Sequence, residues 1–158
     1  MPGSHEEWIK QAITLAVENV RNGRGGPFGA LVVKNGEVIA TGTNIVTATH
    51  DPSAHAEIVA LRAACQKLQS FQLDGCELYS SCEPCPMCLG AIYWARPKAY
   101  YFACTRESAA QAGFDDAYIY EELHLKPEAR TIPGHCMLSD EGSAPFVEWA
   151  QSLQKIQY

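Results

Sequence analysis

One histidine, one glutamate and two cysteines carry the spacing of a metal-dependent hydrolytic site. His55-Ala56-Glu57 offers an imidazole and a carboxylate two residues apart, and Pro84-Cys85-Pro86-Met87-Cys88 offers two thiols three apart. His55, Cys85 and Cys88 together suit zinc, and three protein ligands leave a fourth tetrahedral position for water or hydroxide. Water on such a zinc reaches a pKa of about 7, which gives hydroxide at neutral pH. Glu57, near the metal but not bound to it, can take a proton from that water and hand it to a reacting group. A lone Cys-x-x-Cys is often a structural half-site or simply buried thiols. The four residues together say more, because a structural zinc has no use for a spare carboxylate. His50 lacks a partner at ligand spacing and reads as a loop residue. Cys82, three before Cys85, is a rival ligand.

The elements around these residues explain how they could meet. Trp8, Ile9, Ala12, Leu15, Ala16, Val17 and Val20 form a helical stripe over 6–22, stopped by the glycine-rich turn Gly23-Arg24-Gly25-Gly26-Pro27. No Gly-Lys-Ser/Thr follows that turn, so it is not a phosphate loop. Residues 28–33 read as a buried strand, Asn35-Gly36 as a tight hairpin turn and 37–41 as the returning strand. Asp51-Pro52 resembles a helix start, with the helix running to about residue 69. Strands at 78–80 and 99–103 flank a helix opening at Pro86 and running to about Trp94. Both metal-binding segments thus fall at predicted helix N-termini, where free N–H groups and the helix dipole favour thiolate. On a regular helix the spacing of two would point His55 and Glu57 nearly opposite ways, unless the metal lies beyond the helix end. Past residue 105 the pattern weakens to short helical pieces, a possible strand at Cys136-Met137-Leu138 and a terminal helix from about Ala144. A hairpin followed by α-β-α-β implies a mixed sheet with helices on both faces.

The 158 residues suit a single domain spanning 1–158. Lys plus Arg number 12 against 18 Asp plus Glu, a net charge of −6. That balance argues against nucleic acid as the main partner, since phosphate binding draws on clustered Lys and Arg. The chain lacks any run of about 18 apolar residues, so no membrane association is expected, and Met1 to His5 lacks the features of a signal peptide. Seven cysteines without a secretory signal suit a reducing, cytoplasmic compartment better than a disulfide framework. Cys65, Cys76, Cys104 and Cys136 read as small core residues.

His-x-Glu followed by Pro-Cys-x-x-Cys is a known signature of zinc deaminases. With Leu89-Gly90-Ala91 after it, the pattern resembles the cytidine-deaminase-like superfamily, in the branch that holds purine and tRNA adenosine deaminases. Along nearly its whole length the chain is similar to bacterial guanine deaminases of this small zinc type. Gly25 to Ala30, Asp51 to Glu57, Ser81 to Pro84, Ile92 to Pro97, Gly113-Phe114-Asp115-Asp116 and a C-terminal tyrosine carry that likeness. The resemblance implies a three-layer α-β-α fold with a mixed five-stranded sheet. It makes His55, Cys85 and Cys88 the ligands of one Zn²⁺ per subunit, with water or hydroxide as the fourth, and Glu57 the proton shuttle. Phe28 would stack on the base, Asn44 would bond its edge, and Asp116 would contact it near the reacting amino group. Ala56 and Tyr158 would complete the substrate site. It also implies a homodimer in which the segment 144–158 crosses to close the partner's site.

Chemistry gives these roles a rationale. An aromatic face suits a flat purine, and guanine presents N1–H beside NH₂, a donor edge that a carboxylate accepts. Other readings stand beside them. Phe28 could be core, Asn44 a turn residue and Asp115-Asp116 a helix cap, and the choice of Asp116 over Asp115 follows from the resemblance alone. The expected reaction is hydrolysis of guanine to xanthine and ammonia. Its rivals are guanosine, tRNA adenosine, pyrimidine or triazine deamination, or a non-catalytic zinc module.

Overall fold

A computed structural model describes residues 3–158; of the Met1–His5 stretch, Met1 and Pro2 lie outside the described residues. The chain forms two compact units, 1–117 and 118–158.

The first unit is built on a sheet of four strands, ordered β2-β1-β3-β4: β1 (Gly29–Lys34), β2 (Glu37–Thr43), β3 (Cys76–Cys82) and β4 (Ala99–Cys104). β1 pairs antiparallel with β2 and β3, whereas β3 and β4 run parallel. Asn35 and Gly36 both take positive φ, 53° and 78°, the signature of the hairpin turn predicted there. Among the described residues a fifth strand is not formed. Leu138 has φ 52°, a left-handed conformation that ends extended backbone, and Met137 and Leu138 stay largely exposed.

Strand alternation builds two cores. Ala30, Val32 and Leu78 point to one face, where α3 (Ala56–Leu68) and α4 (Pro86–Ala95) supply Ala60, Leu61, Ala64 and Ile92. Leu31, Val33 and Tyr79 point to the other, where α1 (His5–Arg21) supplies Ala12. Helices therefore cover both faces, as expected. α1 opens with a capping box: Ser4 Oγ accepts from Glu7 N at 3.2 Å, and Glu7 Oε2 accepts from Ser4 N at 2.6 Å. A Cβ on Gly42 of β2 would run into the carbonyl of Ala56, so this glycine permits the closest approach of α3 to the sheet.

Asp51 does not cap α3. Its Oδ1 accepts instead from the backbone and hydroxyl of Ser53, at 2.8 and 2.6 Å, making a local turn after the short helix α2 (Val46–Thr49). The first residue of α3 is therefore Ala56, with His55 at the N-cap. His50, left-handed at φ 53°, closes α2. α5 (Arg106–Gln111) follows β4 and leads to Asp115, whose Oδ1 accepts from Ala117 N at 2.9 Å where α6 (Ala117–Leu123) begins.

The second unit holds most of α6, two single 3₁₀ turns and α7 (Ala144–Gln151). Glu122 organises it: its carboxylate accepts from Thr131 N and Oγ1 at 2.7 and 3.0 Å, and its carbonyl from Arg130 Nε at 3.1 Å. Among the described residues no helix is long and apolar enough to cross a membrane.

Cysteine placement departs from expectation at two positions. Cys76 is buried and Cys65 half-buried, but Cys104 and Cys136 are exposed, one ending the edge strand β4 and the other in the irregular stretch before α7.

Candidate metal centre and substrate cavity

Two helix starts bring the metal-binding residues together. His55 and Cys85 are the N-caps of α3 and α4, both in extended conformation, and Pro86 fits the first position of α4 because its missing N–H has no partner there anyway. His55 therefore lies outside the helix whose second residue is Glu57. The helical rule that would set a pair spaced by two on opposite sides does not bind them, so both reach the same space. Cys88 lies in the first turn of α4, fully buried.

The donor atoms of His55, Cys85 and Cys88 lie within 4.8 Å of one another. His55 Nδ1 is 3.5 Å from Cys85 Sγ and 3.6 Å from Cys88 Sγ. Tetrahedral zinc, with bonds of about 2.3 Å to sulfur and about 2.0–2.1 Å to nitrogen, requires S···N edges of about 3.6 Å. The measured edges fit. The thiols also share charge: the Cys85 thiol is held down to about 4, first by a hydrogen bond from Cys88, and Cys88 is pushed up by the same bond and by burial. Cys82 is no ligand. Its Sγ faces the Thr105 carbonyl at 3.8 Å, and burial pushes its thiol up to about 11.

Glu57 is 5% exposed. Its Oε2 lies 3.5 Å from Cys88 Sγ, and its Oε1 accepts from Ser80 Oγ at 3.1 Å. Burial raises its pKa, which favours a carboxyl that can hold a proton.

A cavity of about 290 Å³ opens beside this cluster. Phe28, Asn44, His55, Glu57, Cys85 and Asp116 all line it. Phe28 lines the cavity and also packs on the α3–α4 core. Asn44 lines it too, and its Oδ1 accepts from Val46 N at 3.3 Å to make a turn. Asp115 also lines the cavity; its Oδ1 accepts from Ala117 N where α6 begins, whereas Asp116 is half-buried with its pKa raised, chiefly by burial. Ala56 is not among the lining residues; its side chain is buried in the α3–α4 core. Tyr158 belongs to the second unit, at an exposed chain end.

Three contributors escape the sequence reading. Phe114 stands edge-on to Phe28 across 5.0 Å between ring centroids, completing an aromatic corner. Its place in Gly113-Phe114-Asp115-Asp116 was the available signal. Ser80 holds Glu57, and nothing local in β3 marks it. Asn19 on α1, 2% exposed, donates from Nδ2 to the carbonyls of Gly26 and Asn44, both at 2.8 Å, and so joins the two loops that carry Phe28 and Asn44. An asparagine among the polar positions of an amphipathic helix gives no such hint.

Comparison with known proteins fits this geometry. Residues 2–104 match the family model described as the cytidine and deoxycytidylate deaminase zinc-binding region. Guanine deaminase of Bacillus subtilis (strain 168) is 54% identical over 155 residues, covering 98% of this chain and 99% of that protein. A crystal structure of guanine deaminase from Bacillus subtilis superposes with a TM-score of 0.97 at 53% identity, covering 99% of each chain. A tRNA-specific adenosine deaminase of Bacillus subtilis (strain 168) is 38% identical, over 95% of this chain and 91% of its own length. The half-buried cluster of one imidazole and two sulfurs, with a buried carboxyl beside it, is thus set in an α/β frame shared with deaminases, and the chain belongs to the cytidine and deoxycytidylate deaminase family of zinc-binding enzymes.

Proposed function

We propose that the chain is a guanine deaminase, a single deaminase domain over 1–158 that hydrolyses guanine to xanthine and ammonia. The observation that carries this reading is one cavity lined by His55 and Cys85, by Glu57, and by Phe28, Asn44 and Asp116. Its volume of about 290 Å³ sits at the small end of ligand pockets, about 300–1,000 Å³, which favours a bare base over a nucleoside. The net charge of −6 favours a small molecule over tRNA.

His55 Nδ1, Cys85 Sγ and Cys88 Sγ would hold one zinc ion, which when bound would supply a water acidified toward neutral pH. Glu57 takes one proton from the water and passes it to a ring nitrogen as the water oxygen bonds to the amino-bearing carbon. It then takes the second proton from the added hydroxyl and gives it to the amine as the C–N bond breaks. The balance is guanine plus water giving xanthine plus ammonia. Phe28 offers a ring to the purine face, with Phe114 at its edge. Asn44 bonds the base, and the Asp116 carboxylate accepts from the guanine donor edge. Tyr158, and Ala56 through its backbone rather than its buried side chain, complete the proposed binding site. The acting form is proposed to be a cytoplasmic homodimer in which 144–158 closes the partner's cavity. Exposed Phe146, Val147 and Ile156 support that assignment, since such apolar surface is costly in water.

Ammonia release from guanine, guanosine, adenine, cytosine and cytidine tests the substrate. Guanine is expected to be turned over best, and a preference for any other member rejects it. Glu57→Gln is expected to keep zinc while losing activity by a factor of about 10² or more. Near wild-type turnover in that variant rejects the proton shuttle.

A further inference from the structure

The two oxygens of the Glu57 carboxyl have different surroundings. Ser80 on β3, 1% exposed, places its Oγ 3.1 Å from Glu57 Oε1 and 3.4 Å from Cys82 N. A backbone N–H can only donate, so the Ser80 hydroxyl accepts from Cys82 and its single proton is turned toward Glu57. Oε2 lies on the opposite side, 3.5 Å from Cys88 Sγ and facing the ligand cluster. Ser80 is not among the residues that line the cavity.

We propose that Ser80 is a positioning residue that pins Oε1 of Glu57 to the central sheet, so that Oε2 alone carries the proton between water and base. The inference rests on the proposed role of Glu57. The last torsion of a glutamate side chain is broad and roughly two-fold, so an untethered carboxyl turns freely between equivalent orientations. Each half of a deamination needs a carboxyl oxygen within about 2.6–3.2 Å, first of the water and then of the base. A donor fixed on Oε1 restricts that torsion and keeps Oε1 an acceptor throughout, leaving Oε2 as the working atom. The tether starts from β3, which lies between β1 and β4, and its hydroxyl is oriented by the backbone of the same strand. The support is therefore rigid.

Ser80→Ala and Ser80→Thr test this on the full-length, zinc-loaded enzyme. Four quantities are needed: zinc per chain, kcat, KM for guanine, and the affinity for xanthine by calorimetry. A supporting residue of this kind is worth about 10–100-fold, so Ser80→Ala should lose that much in kcat while retaining zinc. KM and xanthine affinity should stay within about twofold, since Ser80 holds no substrate. Ser80→Thr restores a hydroxyl and should exceed Ser80→Ala in kcat. A merely structural serine gives the reverse order, because an added methyl in a packed interior costs more than a missing hydroxyl. Crystals of Ser80→Ala should show the Glu57 carboxyl turned from its wild-type position. Wild-type kcat in Ser80→Ala, a threonine variant no better than alanine, or loss of zinc from Ser80→Ala overturns the assignment. The two claims fail separately: an active Glu57→Gln rejects the shuttle, whereas an inactive Glu57→Gln beside a fully active Ser80→Ala rejects only the tether.

Discussion

At the scale of single residues, Ser80 holds Glu57 beside His55, Cys85 and Cys88 by a hydrogen bond of 3.1 Å. His55, Cys85 and Cys88 announce themselves because few residue types bind zinc and their spacing is short. Glu57 is legible through its two-residue distance from His55. Ser80 and Asn19 act through contacts spanning 23 and 25 residues, which no local pattern encodes. Asp116 lies between these cases. The resemblance chooses it over Asp115, and both line the cavity, but Asp115 also accepts a hydrogen bond at the start of α6. Asp116→Asn keeps the size of the side chain but replaces one acceptor oxygen with an amide that donates toward a donor edge. We expect kcat/KM for guanine to fall on the order of 10²-fold, the scale set by an unpaired polar group in a specific site. Zinc content should not change. Steady-state kinetics on guanine and adenine measure this, and an Asp116→Asn enzyme with normal guanine turnover excludes the carboxylate from recognition.

Among the elements, strands and long helices followed their periodicity, whereas boundaries followed hydrogen bonds. The helix expected from Asp51 begins at Ala56 because Asp51 spends its carboxylate on Ser53. That shift frees His55 from helical geometry. The strand expected at Cys136 fails because three apolar residues cannot outweigh a left-handed Leu138. Gly42 shows how tightly an element can be tied to chemistry. A side chain there would push against Ala56, the neighbour of both His55 and Glu57. Gly42→Ala should cost about 1–3 kcal/mol, the usual scale of overpacking. It should also lower kcat, because the start of α3 must move to make room. Denaturant midpoints and turnover on one preparation check both parts, and an unchanged kcat would uncouple the glycine from the site.

For the whole molecule, the proposed exchange of C-terminal segments makes a definite forecast. Deleting Lys155 to Tyr158 should leave zinc bound and lower guanine turnover. Mixing a tail-deleted chain with a Glu57→Ala chain should regain activity, because one site in the mixed dimer then has both an intact Glu57 and a tail. Failure of rescue in verified mixed dimers, with the deletion still impaired, keeps the tail's role and rejects the exchange. Within the first unit, a different asymmetry is already built in. Phe28, Asn44, His55, Cys85 and Arg106 all fall where strands end or helices begin at one end of the sheet. The hairpin at Asn35-Gly36, the loop from Gln69 to Gly75 and the turn at Arg96–Lys98 connect elements at the opposite end. An engineer who wishes to insert a tag, a linker or a second domain into the first unit therefore has three connections that lie at the end of the sheet away from the cavity.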